Sequence, residues 1–193
     1  MKDFIIIGHK AVTSPFSLND IAGGAGRMDI LCRCVNASLF LSHSLRRDVR
    51  VFLLLKGGTP QKLIRFEGGK VRYLNPDERN TASLIKKALE KKAKSYWIES
   101  TPGVSVRKGD LRDILDEINK KIIYLREDGK DIRGKRFDNP LFLLGDHHGL
   151  SDDEENIIRE YDHEIVSIGP LSLHADHCIV LLHNEMDRLD KDF

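Results

Sequence analysis

Cysteine is scarce, at three in 193 residues. Three thiols cannot all pair, which excludes a disulfide framework and points to a reducing, cytoplasmic setting. Long apolar runs are missing too. None approaches the roughly 18 residues that span a bilayer, so no membrane association is expected. The first run, Phe4-Ile5-Ile6-Ile7, is too short for a secretion-signal core, and no small-residue cleavage site follows. The 15 glycines show no collagen-like period, and there is no internal repeat, linker or low-complexity tract. Neither G-x-G-x-x-G nor G-x-x-x-x-G-K-[ST] occurs, so dinucleotide and P-loop binding lack their fingerprints. Net charge is nearly absent as well, 31 basic against 30 acidic side chains, which at first argues against a nucleic-acid partner.

The even balance is an average over two unlike parts. Residues 151–193 hold three basic and twelve acidic side chains, leaving 28 basic and 18 acidic in 1–150. A chain polarised in this way can turn one cationic face to a polyanion, or can simply carry an uneven solvated surface. With 40% hydrophobic residues, the length suits one domain with a full core.

Short buried strands alternate with helices. Phe4–Gly8, Val49–Leu55, Ile122–Leu125, Leu141–Leu144 and Glu164–Gly169 are compact apolar runs closed by glycine or polar residues. Leu31, Val35, Leu39 and Leu45 predict a helix from Arg27 to about Ser44. Another is expected over about 80–93, with Lys86, Lys87, Lys91 and Lys92 on its outer surface. Tyr96–Ile98 and Val104–Val106 read as extended pieces, and Leu63–Phe66 and Val71–Tyr73 as a hairpin around Gly68-Gly69. Asp110 caps a third helix, Ser151-x-x-Glu154 is a capping box for 152–161, and 174–189 forms a last helix. Cys178, Leu182, Met186 and Leu189 are placed on its core face. This alternation specifies an α/β protein with a mainly parallel sheet flanked by helices.

In such sheets ligands sit at the carboxyl ends of the strands. Three ends in the second half carry glycine-bearing loops: Leu125 through Gly129, Gly145-Asp146-His147-His148-Gly149, and Ser167-Ile168-Gly169-Pro170-Leu171-Ser172-Leu173. Gly23-Gly24-Ala25-Gly26 before a helix is either a phosphate cradle built from helix amides or a plain turn. His174, His177 and Cys178, at i, i+3 and i+4, are a second reading: zinc ligands of a hydrolase, with His147 and His148 as further donors. Against it, Cys178 shares an apolar face with Leu182, and adjacent histidines point apart. Cys32 and Cys34 diverge by about 200° on a helix and read as one core and one surface thiol.

Leu-Leu-Gly-Asp-His-His-Gly-Leu followed by Ile-Gly-Pro-Leu-Ser-Leu-x-Ala-x-His-Cys, with Ile-Ile-Tyr-Leu-x-x-x-Gly before them, resembles the knotted methyltransferases of the SPOUT superfamily. The resemblance extends to Gly-Gly-Ala-Gly-Arg-Met-Asp-Ile and Leu-Leu-His-Asn-Glu-Met-Asp-Arg. Over nearly the whole chain it is similar to the archaeal tRNA pseudouridine(54) N1-methyltransferases. That likeness implies a single-domain SPOUT-type fold over 1–193 with a C-terminal deep trefoil knot. The knot and cofactor loops would lie within about 120–193, with a small hairpin insertion near 60–75. It implies S-adenosylmethionine as cofactor, held by Leu125, Gly145, Ile168, Gly169, Leu171, Leu173 and Cys178, and a homodimer formed through the knot. It also implies methyl transfer to N1 of pseudouridine in the TΨC loop of tRNA. Leucine and isoleucine can wall an adenine, and glycines would leave room for the ribose. Asp146, His174 and Asp176 are the candidates for the proton of N1, with no choice among them. Arg27, Asp29, Arg33 and Arg47 are the RNA candidates, Asp29 either reading a base or orienting Arg27. Pseudouridine in ribosomal RNA and a non-catalytic RNA-binding module stay open as alternatives.

Overall fold

The computed structural model describes residues 1–190. Eight strands form one sheet in the order β4-β5-β3-β2-β1-β7-β6-β8. They are β1 (Lys2–Gly8), β2 (Val49–Leu55), β3 (Lys62–Glu67), β4 (Ile98–Thr101), β5 (Val104–Lys108), β6 (Ile122–Asp131), β7 (Leu141–Gly145) and β8 (His163–Ser167). Five neighbours, β2-β1-β7-β6-β8, are parallel throughout. The other three extend one edge in antiparallel fashion.

Alternation along β1 shows why both faces must be covered. Phe4 and Ile6 enter one apolar cluster and Ile5 and Ile7 the other, since successive side chains leave a strand on opposite sides. The first face is covered by α1 (Met28–Leu39), α2 (Glu78–Leu89) and α5 (Ala175–Asp190), the second by α3 (Leu111–Ile118) and α4 (Asp152–Ile158). Both forecast caps form. Asp110 and Ser151 each accept from the third helical amide, and Asp113 and Glu154 return the bond.

Three details depart from the sequence reading. Helix α1 stops at Leu39, where Phe40 turns extended and bridges to Leu45. Leu45 fits the helical period but belongs to the returning chain. Residues 63–73 do not form a hairpin: β3 pairs with β2 and β5, while Val71–Tyr73 are no strand. Gly68 is needed there because a Cβ would lie 2.1 Å from the Arg46 carbonyl. Cys32 and Cys34 are both core residues on α1, fully buried. They leave opposite sides of one turn of α1, and that turn is enclosed by the sheet on one side and by α2 and α5 on the others.

Candidate active site

A cavity of about 510 Å³ opens at the rim where β6, β7 and β8 end. Leu125, Gly145, Ile168, Gly169, Leu171, Leu173 and Cys178 all line it, as do Asp146 and His174. Ile30 of α1 and Tyr124 and Leu144 of the strands contribute to the walls. Leu125 and Ile168 rest on the core, whereas Leu171 and Leu173 project outward, 72% and 39% exposed. The two site glycines differ in purpose. A Cβ on Gly169 would meet nothing within 4 Å, so the missing side chain leaves open space. A Cβ on Gly145 would lie 2.1 Å from the Gly149 carbonyl, so that glycine lets the β7 loop fold back on itself rather than making room for a ribose.

Asp146 is committed to architecture. Its oxygens accept the backbone N–H of His9 (2.9 Å) and of His148 (2.9 Å), and His9 Nδ1 lies 3.1 Å away. Burial pushes this carboxyl up, but the two amides and His9 outweigh it and hold it below the usual range. His9 Nε2 meets Glu154 Oε2 at 2.9 Å, and Glu154 also accepts from Lys56 and from the Ser151 amide. Sequence reading missed this His9–Asp146–Glu154–Lys56 network. Its only trace was that His9 and Lys56 directly follow buried strands. His147 and His148 do not diverge as their adjacency implied, because the tight turn after Gly145 brings their rings to 3.9 Å. Burial, then His148, Arg27 and Lys10, depress the His147 imidazole against the pull of Asp146.

Cys178 lies 3.8 Å from the Leu173 carbonyl, and burial pushes its thiol up to about 11. It is therefore a neutral wall, not a thiolate. His174 and His177 have ring centroids 5.5 Å apart, and among the described residues no group of three or more His, Cys, Asp or Glu is placed to hold a metal ion. Asp176 does not line the cavity. It faces Arg33, with Nε at 3.7 Å, while its Oδ1 is buried without a hydrogen-bond partner.

On the same side, Arg27 donates twice to Asp29, at 3.0 Å each, and Arg33 donates to Asp29 at 3.1 Å and to Glu78 at 3.3 Å. Of the two roles open to Asp29, the geometry is that of orienting Arg27. The glycine loop is a turn: the amides of Gly23 and Gly24 are taken by Asp20 at 2.8 and 2.7 Å, leaving them unable to cradle a phosphate. Arg47 stands elsewhere. It donates to the Gly68 carbonyl and lines a separate cavity of about 560 Å³ with Lys70 and Arg72, at the opposite rim.

A family model described as "Putative SAM-dependent RNA methyltransferase" matches residues 1–191. The tRNA (pseudouridine(54)-N(1))-methyltransferase of Methanococcoides burtonii is 56% identical over 195 residues, covering 97% of this chain and 96% of that protein. The protein of the same name from Methanosarcina acetivorans is 56% identical over 197 residues, covering 100% and 93%. Among solved structures, Archaeoglobus fulgidus Nep1 bound to S-adenosylhomocysteine shares the fold, with a TM-score of 0.65 at 16% identity over 98% of each chain. The chain belongs to the family of SAM-dependent RNA methyltransferases that includes these tRNA (pseudouridine(54)-N(1))-methyltransferases.

Proposed function

We propose that the protein transfers a methyl group from S-adenosylmethionine to N1 of pseudouridine 54 in tRNA. The observation that carries this reading is the convergence of three separate strand-end loops on one cavity with apolar walls and an open floor at Gly169. The residues present suit the cofactor. Leu125, Ile168 and Leu173 supply flat apolar surface, and the loop amides and carbonyls supply polar edges. When bound, S-adenosylmethionine supplies an activated sulfonium methyl, so the chain's own task is mostly positioning. Asp146 and His9 hold the β7 loop against β1, which fixes one wall. Cys178, as a neutral thiol, packs without competing for the methyl. His174, exposed at the cavity with no side-chain hydrogen bond among the described residues, is the group we assign to receive the N1 proton. Arg27, clamped by Asp29 yet 40% exposed, is the phosphate contact we retain, because Arg33 is occupied internally and Arg47 lies at the far rim.

The finer architecture follows the same reading. The chain between β6 and β7 crosses the first face, burying Ile132, and the Gly134 amide donates to Glu185 of α5 at 3.2 Å. That contact supports a trefoil threading of α5 within about 120–193, and the single sheet supports one SPOUT-type domain over 1–193. Val180 and Leu181 of α5, 53% and 41% exposed, support a homodimer through this region. No helix among the described residues is long and apolar enough to cross a membrane, and a tRNA substrate supports a cytoplasmic location.

Incubation with labelled cofactor and two transcripts, one carrying uridine and one pseudouridine at position 54, tests the reaction. Label should enter the pseudouridine transcript alone. Equal labelling of both would remove the assigned specificity.

A further inference from the structure

The β-sheet register places two lysines on the same rim as the cofactor loops. Gly8, which ends β1, pairs with Leu55; Leu55 pairs with Lys62 of β3; Lys62 pairs with Lys108 of β5. On the other side of β1, Ile7 pairs with Gly145. One row therefore runs from the cavity to the antiparallel edge. With strands about 4.8 Å apart, Lys62 and Lys108 stand roughly 10 and 14 Å from β1. The Lys108 amide donates to the Lys94 carbonyl at 2.7 Å, which brings the segment after α2, with Lys91, Lys92 and Lys94, to the same rim. Tyr96, 61% exposed, follows directly.

Several cations of the described residues are neutralised by acids. Arg33, Arg46, Arg50, Lys56, Lys120 and Arg126 each face a carboxylate. Lys62, Lys91, Lys92, Lys94 and Lys108 have no such partner among the described residues. Residues 56–108 hold thirteen basic and five acidic side chains. Like charges directly opposed across a sheet destabilise it, and burial together with Lys108 depresses the Lys62 ammonium. Such a pair persists against its folding cost when a polyanion relieves it.

We propose that this lysine rim is a phosphate-binding track that holds the backbone of the tRNA beyond the target loop, with Tyr96 as a stacking surface for an unpaired base. The proposal rests on the RNA reading above and names where the rest of that RNA lies. Arg27 and Lys10, which both act electrostatically on His147, continue the track to the cavity.

Two double variants test it, Lys62→Gln with Lys108→Gln and Lys91→Gln with Lys92→Gln. Binding of full-length tRNA should weaken about tenfold at 0.1 M salt. The slope of log K against log [salt] should shrink by about 1.4–1.8 for two lost phosphate contacts. Turnover at saturating tRNA and affinity for S-adenosylmethionine should stay at the wild-type level, as should the salt slope of a charge-matched control, Lys121→Gln with Arg112→Gln. Lys108→Glu should raise Tm by about 1–3 °C while weakening tRNA binding. Wild-type salt slopes in both double variants would overturn the track, whether or not the rim then bound anionic lipid vesicles. Failure of the wild-type protein to methylate pseudouridine tRNA would instead overturn the reaction, and the salt slopes separate the two results.

Discussion

At the scale of single residues, the site divides into groups that shape the cavity and groups that would act in it. Gly169 shapes it by omission. Replacing Gly169 with Leu should abolish calorimetric binding of S-adenosylmethionine while Tm changes by less than about 2 °C, because the new side chain enters open space and not packed core. Unchanged affinity would mean that the third loop does not face the cofactor. Asp146 and His174 can be separated by kinetics. Asp146 already accepts two amides and is held low as an anion, a poor proton acceptor near neutrality. His174→Ala should lower kcat by about 10²-fold with little change in KM for the cofactor, measured under single turnover. A kcat at the wild-type level would assign the N1 proton to water.

At the scale of elements, α5 couples the site to the first face through His183. Its Nε2 meets the Ser38 carbonyl of α1 at 3.1 Å, and its ring lies tilted at 52° to Phe4 with centroids 5.1 Å apart. Burial, then the nearby Arg46 guanidinium, depress this imidazole from 6.5 to about 4. The folded state thus binds this proton less tightly than the unfolded chain. Stability should be full above about pH 6.5 and fall as pH drops toward 4, by roughly 3 kcal/mol in the limit. His183→Gln should flatten that part of the urea-denaturation profile, and an unaltered slope would place the titrating group elsewhere. Elements were largely legible in the sequence because strand runs such as Phe4–Ile7 and boxes such as Ser151-x-x-Glu154 are local signals. What was not legible is non-local. The pairing of β3 with β2 and β5, instead of with Val71–Tyr73, depends on which edge is free. The His9 network depends on strand order. Leu45 matched a helical period by coincidence of spacing, and the partner that claims it, Phe40, is visible only once the chain turns.

At the scale of the whole molecule, α5 exposes Val180 and Leu181, 53% and 41% accessible. Val180→Glu should convert a dimer into monomers in sedimentation equilibrium, and a wild-type mass would exclude α5 from the interface. The charge division has a spatial counterpart: acids of the last quarter cap helices and pair with bases from the first part of the chain, as in Glu154–Lys56 and Asp187–Arg46. The bonds from His9 to Asp146 and Glu154 span 137 and 145 positions of chain. During synthesis from the N-terminus, β1 and β2 emerge before these partners: His9 waits for the β7 loop with Asp146, and Lys56 for Glu154 of α4. A nascent or prematurely ended chain can thus bury much of its first-face core before the strand-end cavity exists, so a messenger truncated in its last quarter yields a protein without that cavity's third wall, Ile168 to Cys178.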